Sequence, residues 1–245
     1  MLENIGKESG MPCHPLEDIP EFPSREAMTA WLHAEARRIA SWEKTSRDEG
    51  EVFSFVLEEA SVANGLEALA VLRKFILALL AADWACYAEP ASREEYGHLR
   101  KAVSVFPRGF RLWMVRVGGR CMPIGYTGFH PISRDTFSLM KNAPERLTSR
   151  KQIAPEPEAA SAGSYFYLYN LGIIRQFQGT AASRALVKAF AADVASVGKR
   201  GLAAVVVSQD GKRIIEKFGL HQSGCLTHEG HREMVYVTDE AVGDA

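Results

Sequence analysis

Apolar residues first settle into a period at Met28, Trp31, Leu32, Ala36 and Ile39, one face of a helix. Ser24 is placed to cap that helix and Arg25 and Glu26 to open it, so it should run to about residue 43. The run EVFSFVLEEA (51–60) predicts a strand. Residues 65–87 are apolar nearly all round, as in a buried helix, and Pro90 ends them. SREEYGHLRKAV (92–103) predicts a shorter helix capped by Ser92, with Glu94 and Glu95 in its first turn. GFRLWMVRVGGRCMPIGYTGFHPI (109–132) alternates as two strands about Gly118 and Gly119, a pair that can supply the positive φ angles of a tight hairpin turn.

Residues 133–164 are polar, with Pro144, Pro155, Pro157 and the low-complexity APEPEAASAGS, and predict a long loop. A strand (165–172), a helix (about 180–197), a strand (201–208) and a helix (about 210–218, ended by Gly219) follow. Two short strands, about 220–227 and 232–238, close the chain, and no internal repeat is present. The order implies an α/β fold: a mixed central sheet with helices on both faces. Residues 1–23, with four prolines and no periodicity, read as an extended or disordered arm. Residues 24–50 form an extra N-terminal helical segment, and 51–245 the main domain.

Composition narrows the partners. The 245 residues are 47% hydrophobic and 24% charged, with a net charge of −1, which gives no reason to expect nucleic acid or an anionic membrane. Charge is unevenly spread. Residues 1–70 hold 6 Lys/Arg against 14 Asp/Glu, whereas residues 171–220 hold 8 against 3. Cys13, Cys86, Cys121 and Cys225 are scattered, which suits free thiols and a cytoplasmic protein. MLENIGKESG lacks the order of a signal peptide, and FILALLAADWACYA is interrupted by Asp83 and too short to span a bilayer. Whether the chain forms an oligomer is left open.

The basic segment contains the sharpest motif. In YLYNLGIIRQFQGTAASRAL an aromatic strand meets an alanine-rich helix through Gln176, Phe177, Gln178, Gly179, Thr180 and Ala181. A helix start presents unpaired N–H groups and the positive end of the dipole, a ready anion site. Gly179 and Ala181 leave room for a phosphate to reach those amides; alternatively they only allow tight packing of helix on strand. Neither a P-loop nor a Gly-x-Gly-x-x-Gly turn is present.

Gln-x-x-Gly-x-Ala at a strand-to-helix turn resembles the acyl-CoA pyrophosphate loop of the GNAT N-acetyltransferase superfamily. VRVGGRCMPIGYTGFH is similar to that family's hairpin, AAVVVSQDGKRIIEKFGL to its next strand–helix unit, and REMVYV to its closing strand. The resemblance spans about residues 51–238. It implies an acyltransferase that moves an acetyl or other short acyl group from acyl-CoA to an amine, by direct attack in a ternary complex. It also implies pantetheine beside Leu171, Gly172 and Ile173, and pyrophosphate on residues 176–181 with Ala182 and Ser183 in the first helical turn. Ser208 or Gln209 stands where the family commonly has a pantetheine-binding Asn, and Ile215 where it often has a proton-donating Tyr.

Acid–base candidates are therefore sought elsewhere. Tyr165, Tyr167 and Tyr169 share one face of a strand by two-residue alternation, and His130 ends the hairpin strand near the expected cleft. No metal is expected: Cys225, His228 and His231 span a strand–turn–strand and no fourth ligand lies near. The alternative to an enzyme is a GNAT-fold CoA-binding or regulatory module without turnover, motivated by Ile215. The acidic N-terminal residues suggest a cationic acceptor, and the N-terminal helix and the 133–164 segment are where acceptor specificity would reside.

Overall fold

Ser24 does cap the first helix: its side chain accepts the N–H of Ala27, and Met28, Leu32, Ala36 and Ile39 are buried along the stripe the spacing predicts. This is a computed structural model, and it describes residue 16 and residues 18–42, 51–57, 66–87, 89–117, 120–157 and 164–240. The first helix, α1 (Arg25–Ala40), is followed by strand β1 (Glu51–Val56) and the long helix α2 (Leu66–Cys86). Helix α3 (Tyr96–Val105) leads to the hairpin β2 (Phe110–Val117) and β3 (Arg120–Ile132). Then come α4 (Arg134–Asn142), β4 (Ser164–Ile173), α5 (Ala181–Ala195), β5 (Lys199–Val206), α6 (Gln209–Lys217), β6 (His221–His228) and β7 (His231–Val237). The Gly118–Gly119 turn, most of the 1–23 arm, Cys13 and the chain beyond Trp42 up to β1 lie outside the described residues.

The seven strands form one sheet in the order β1-β2-β3-β4-β5-β7-β6. Only β4 and β5 run parallel; the other neighbours are antiparallel, so the sheet is mixed as expected. Alternation along β4 sends Tyr165 and Tyr167 to the side of Phe137 and Met140 on α4, and Phe166 and Leu168 to the side of Phe190 on α5 and Ile215 on α6. Helices thus cover both faces. In α2 every residue from Phe75 to Ala82 is at most 1% exposed, packed against β2 and β3. A segment so apolar all round is held by tertiary burial rather than amphipathic balance.

Two expectations need correction. Residues 133–164 are not one long loop. Ser133 accepts the N–H of Thr136 and starts α4, Phe137 and Met140 bury one side of it, and short 3₁₀ turns follow at Pro144–Arg146 and Arg150–Gln152. Two apolar residues three apart suffice to anchor so short a helix, and the many polar neighbours mask them. Residues 158–163 of that segment are outside the described set. The helix expected from Ser92 starts four residues later. Pro90–Ser92 form a 3₁₀ turn, and Glu94 lies before α3 rather than in its first turn.

Candidate active site

Beyond Leu168 and Ala204 the parallel pairing stops, although β4 runs on to Ile173 and β5 to Val206. At the same level β4 carries an extra residue: Phe129 pairs with Leu168 and Gly128 with Asn170, leaving Tyr169 without a partner on β3. Such a bulge bends a strand and re-aims side chains. It lies where the two strands part, and a cleft opens between them, lined by Asn170, Leu171, Val206, Ser208 and Ile215.

Just past the open end of β4 the chain makes a 3₁₀ turn, Arg175–Phe177, and enters α5. Gly179 has φ +73°, and a side chain there would project into open space. Thr180 occupies the N-cap position of α5 but does not cap it; its hydroxyl donates to the Phe177 carbonyl at 2.6 Å. By contrast Ser24, Ser133 and Ser208 each cap their helices by side-chain hydrogen bonds. The N–H groups of Ala181, Ala182 and Ser183 therefore face outward with no acceptor in the helix, as an anion cradle requires.

On the other side of the splayed strand lies a cluster of buried polar groups drawn from several elements. Asp83 of α2 is 1% exposed; its Oδ1 accepts from the Tyr126 hydroxyl at 3.1 Å and its Oδ2 from the Glu94 N–H at 2.8 Å. Trp84 Nε1 donates to the Glu94 carbonyl at 3.0 Å, so both main-chain groups of Glu94 are fixed by α2. The Glu94 carboxylate accepts from the Tyr169 hydroxyl at 2.5 Å and lies 2.9 Å from Nδ1 of His98. Tyr87 donates to Oδ1 of Asn170 at 2.9 Å, and Asn170 donates to the Tyr126 carbonyl. Arg150 faces Glu233 of β7 across 3.2 Å.

The two carboxylates differ in charge state. Burial, with the nearby Glu94 charge, pushes Asp83 up to about 7. Burial opposes ionisation of Glu94 as well, but His98, Tyr169 and Arg150 outweigh it and hold that carboxyl below its ordinary range. Burial drives the Tyr87, Tyr167 and Tyr169 hydroxyls well above theirs, so they stay protonated and act as donors. The site thus has one carboxyl kept ionised and another poised near neutrality, the pattern of acid–base chemistry.

No protein-family model matches the chain, and no curated protein does. Solved structures do. The loading GNATL domain of CurA from Lyngbya majuscula superposes with a TM-score of 0.54 at 10% identity, covering 77% of this chain and 98% of that one. A GphF GNAT-like decarboxylase bound to isobutyryl-CoA gives 0.49 at 14% identity, covering 68% and 95%. Ard1 from Thermoplasma volcanium gives 0.48 at 10%, covering 78% and 98%. The chain has the GNAT fold.

Within this GNAT fold the residues singled out in the sequence separate into groups. Leu171 and Ser208 line the cleft; Gly172 and Ile173 follow on the open end of β4. Gln176, Phe177, Gln178, Gly179, Thr180, Ala181 and Ala182 form the turn and first helical residues beside it. The Gln176 side chain donates to the Ala40 carbonyl at 2.6 Å and Gln178 to the Ile173 carbonyl at 3.2 Å, so both brace the turn. Ser208 caps α6 through the Gly211 N–H. Tyr167 lines the cleft, whereas Tyr165 stacks on Phe137 at 4.5 Å and donates to Glu240. His130 is fully buried, with Nδ1 3.1 Å from the Pro131 carbonyl and its ring beside Tyr167 and Tyr169. Burial lowers it to about 4 against the effect of that carbonyl, so it stays neutral near pH 7. His228 and His231 face each other across the β6–β7 hairpin, and Cys225 takes the Arg232 guanidinium.

Asp83, Glu94, His98 and Arg150 were not among the sequence candidates. Asp83 did leave a signal, as the one charge in the apolar run FILALLAADWACYA. Glu94 and His98 stand four apart, a spacing equally common on solvated helices. Arg150 left none. No helix among the described residues is long and apolar enough to cross a membrane, and no group of three metal-binding side chains occurs among them.

Proposed function

We propose that this protein is an acyl-CoA-dependent N-acyltransferase that transfers an acetyl or similar short acyl group to an amine. One observation carries the reading: the parallel strands part at Leu168 and Ala204 beside the uncapped start of α5. In that arrangement the main chain of β4 offers hydrogen bonds to pantetheine, and the amides of residues 179–183 with Gly179 offer a seat to the pyrophosphate. Acyl-CoA supplies the activated thioester; all other groups come from the chain.

Glu94, held ionised, would anchor the incoming ammonium. Asp83, as a carboxylate, would take the proton that the ammonium must lose before its lone pair can attack. The second proton, shed as the nitrogen is acylated, would leave with the departing sulfur as the thiol. Ile215 lines the cleft but has no proton to give. Tyr167 and Tyr87 are the donors offered toward the departing sulfur. A Cβ at Gly172 would lie 3.6 Å from the Tyr87 hydroxyl, which puts that hydroxyl against the open strand. Both stay protonated through neutral pH.

Isothermal titration with acetyl-CoA, followed by thiol release across a panel of amines, tests this. Binding below about 100 μM and amine-dependent thiol release are expected. Absence of binding up to about 1 mM overturns the reading. Binding without thiol release or acylation would leave a CoA-binding module, the outcome that Ile215 favours.

A further inference from the structure

Three openings neighbour one another through shared lining residues. The cleft between β4 and β5 shares Glu94 and Arg150 with a second opening of about 230 Å³. The second shares His33, Trp84 and Arg93 with a third of about 350 Å³. Glu94 is thus at the junction with the acyl-CoA cleft, and the third opening is the far end of the path.

Charge changes along it. In the middle opening Glu94, Glu95 and Glu229 are balanced by Arg93, Arg150 and Lys151, and Lys151 lies 2.7 Å from Glu95 and 3.8 Å from Glu229. The far opening is lined by Arg37 of α1, Arg93, and Arg175 of the turn after β4, with no carboxylate among its lining residues. Arg37 uses Nε on the His33 carbonyl at 3.2 Å, which leaves its terminal nitrogens for a ligand. Among the described residues no carboxylate is within ion-pair distance of Arg37 or Arg175. Trp84, Ala36 and Ala40 add an apolar wall. Guanidinium groups match carboxylates and phosphates by their planar fork.

We propose that the acceptor is an amine with an anionic far end, its nitrogen at Glu94 and its carboxylate or phosphate between Arg37 and Arg175. This rests on the acyltransferase reading and gives α1 the part of a specificity element. It replaces the cationic acceptor that the acidic N-terminal composition suggests: where α1 borders the path it contributes His33 and Arg37 and no acid.

The test is titration of the full chain, loaded with CoA, with 6-aminohexanoate, 6-aminohexyl phosphate, 1,6-diaminohexane and hexylamine. Both anionic amines should bind about tenfold or more tightly than the diamine and hexylamine. The tighter of the two assigns carboxylate or phosphate. Arg37→Glu, an exposed α1 position, should abolish the preference while CoA still binds with its original affinity. Equal or tighter binding of the diamine overturns the proposal. So does failure of both anionic probes to bind, or a preference that survives in an Arg37→Glu, Arg175→Glu double variant. A prior CoA titration keeps the questions apart. If CoA does not bind, the acyltransferase reading fails, and the same probes titrated into the free chain still decide for or against the anion site.

Discussion

The two sides of the open strand are made of different material. The turn from Arg175 into α5 is a main-chain device. Its donors are amides, its conformation depends on one glycine at positive φ, and its glutamines are spent on bracing carbonyls. The Asp83–Glu94 side is a side-chain device, assembled from α2, the segment before α3, α3 itself and the bulge of β4. Amide donors do not titrate and tolerate most substitutions that leave room for the ligand. A network of buried carboxyls responds to pH and to the loss of a single oxygen. Each side should therefore fail in its own way.

The largest effect on cofactor binding is expected at Gly179. A glutamate there would have to adopt φ +73°, at a cost of about 1–2 kcal/mol, and would set a carboxylate where the phosphates are to sit. Gly179→Glu should weaken acetyl-CoA binding about 100-fold or more by titration, with only a small drop in Tm. Normal binding in a folded variant would remove the anion-cradle assignment altogether.

Asp83→Asn should act on turnover instead, lowering kcat by about 10²–10⁴ with CoA affinity kept. The pH dependence has a definite sign. Asp83 becomes a carboxylate only above about 7, so wild-type kcat/KM should rise with pH through that point and the rise should be lost in Asp83→Asn. Stability runs the other way. The folded state holds a proton that the unfolded chain releases near its ordinary value, so the stability linked to Asp83 is full below about pH 4 and is lost as pH rises through about 7. Three pH units at about 1.4 kcal/mol each set a ceiling of about 4 kcal/mol. Asp83→Asn should thus unfold at a higher temperature than wild type at pH 8, with the gap closing toward pH 5. A variant equally active, or less stable at pH 8, would show that Asp83 is an ordinary satisfied core group.

The same contrast explains what the sequence disclosed. The cradle is local: six consecutive residues carry its turn, its glycine and its helix start, and the order of elements along the chain follows from periodicity. The Asp83–Glu94 side is not local. Glu94 meets Tyr169 across 75 residues, and Tyr87 meets Asn170 across 83. The bulge that frees Tyr169 has no marker in the alternation of YFYLYN, because its aromatic residues suit either face of a strand. By alternation Tyr165, Tyr167 and Tyr169 look equivalent, and only the register slip singles Tyr169 out. The helix at Arg134–Asn142 is hard to read for a related reason, since Phe137, Leu139 and Met140 among six polar residues give too weak a period.

The smallest expected effect links the two sides. The end of α1 reaches the cradle through two contacts: Gln176 on the Ala40 carbonyl, and the Trp42 ring stacked on Phe177 with centroids 5.4 Å apart and planes 12° off parallel. Phe177 is buried, and the turn that carries it sets the entry into α5. Trp42→Ala removes a large aromatic contact from a partly exposed edge, which should cost about 1–2 kcal/mol in stability. If α1 only covers the core, acetyl-CoA affinity should be unmoved. If α1 positions the cradle, that affinity should fall about three- to tenfold, and Gln176→Ala in the same background should add little, because both contacts hold one turn. The coupling between the two substitutions, measured as a double-mutant cycle on acetyl-CoA binding, separates these cases. A nonadditive pair would mean that α1, proposed to line the acceptor path, also steadies the turn proposed to seat the pyrophosphate.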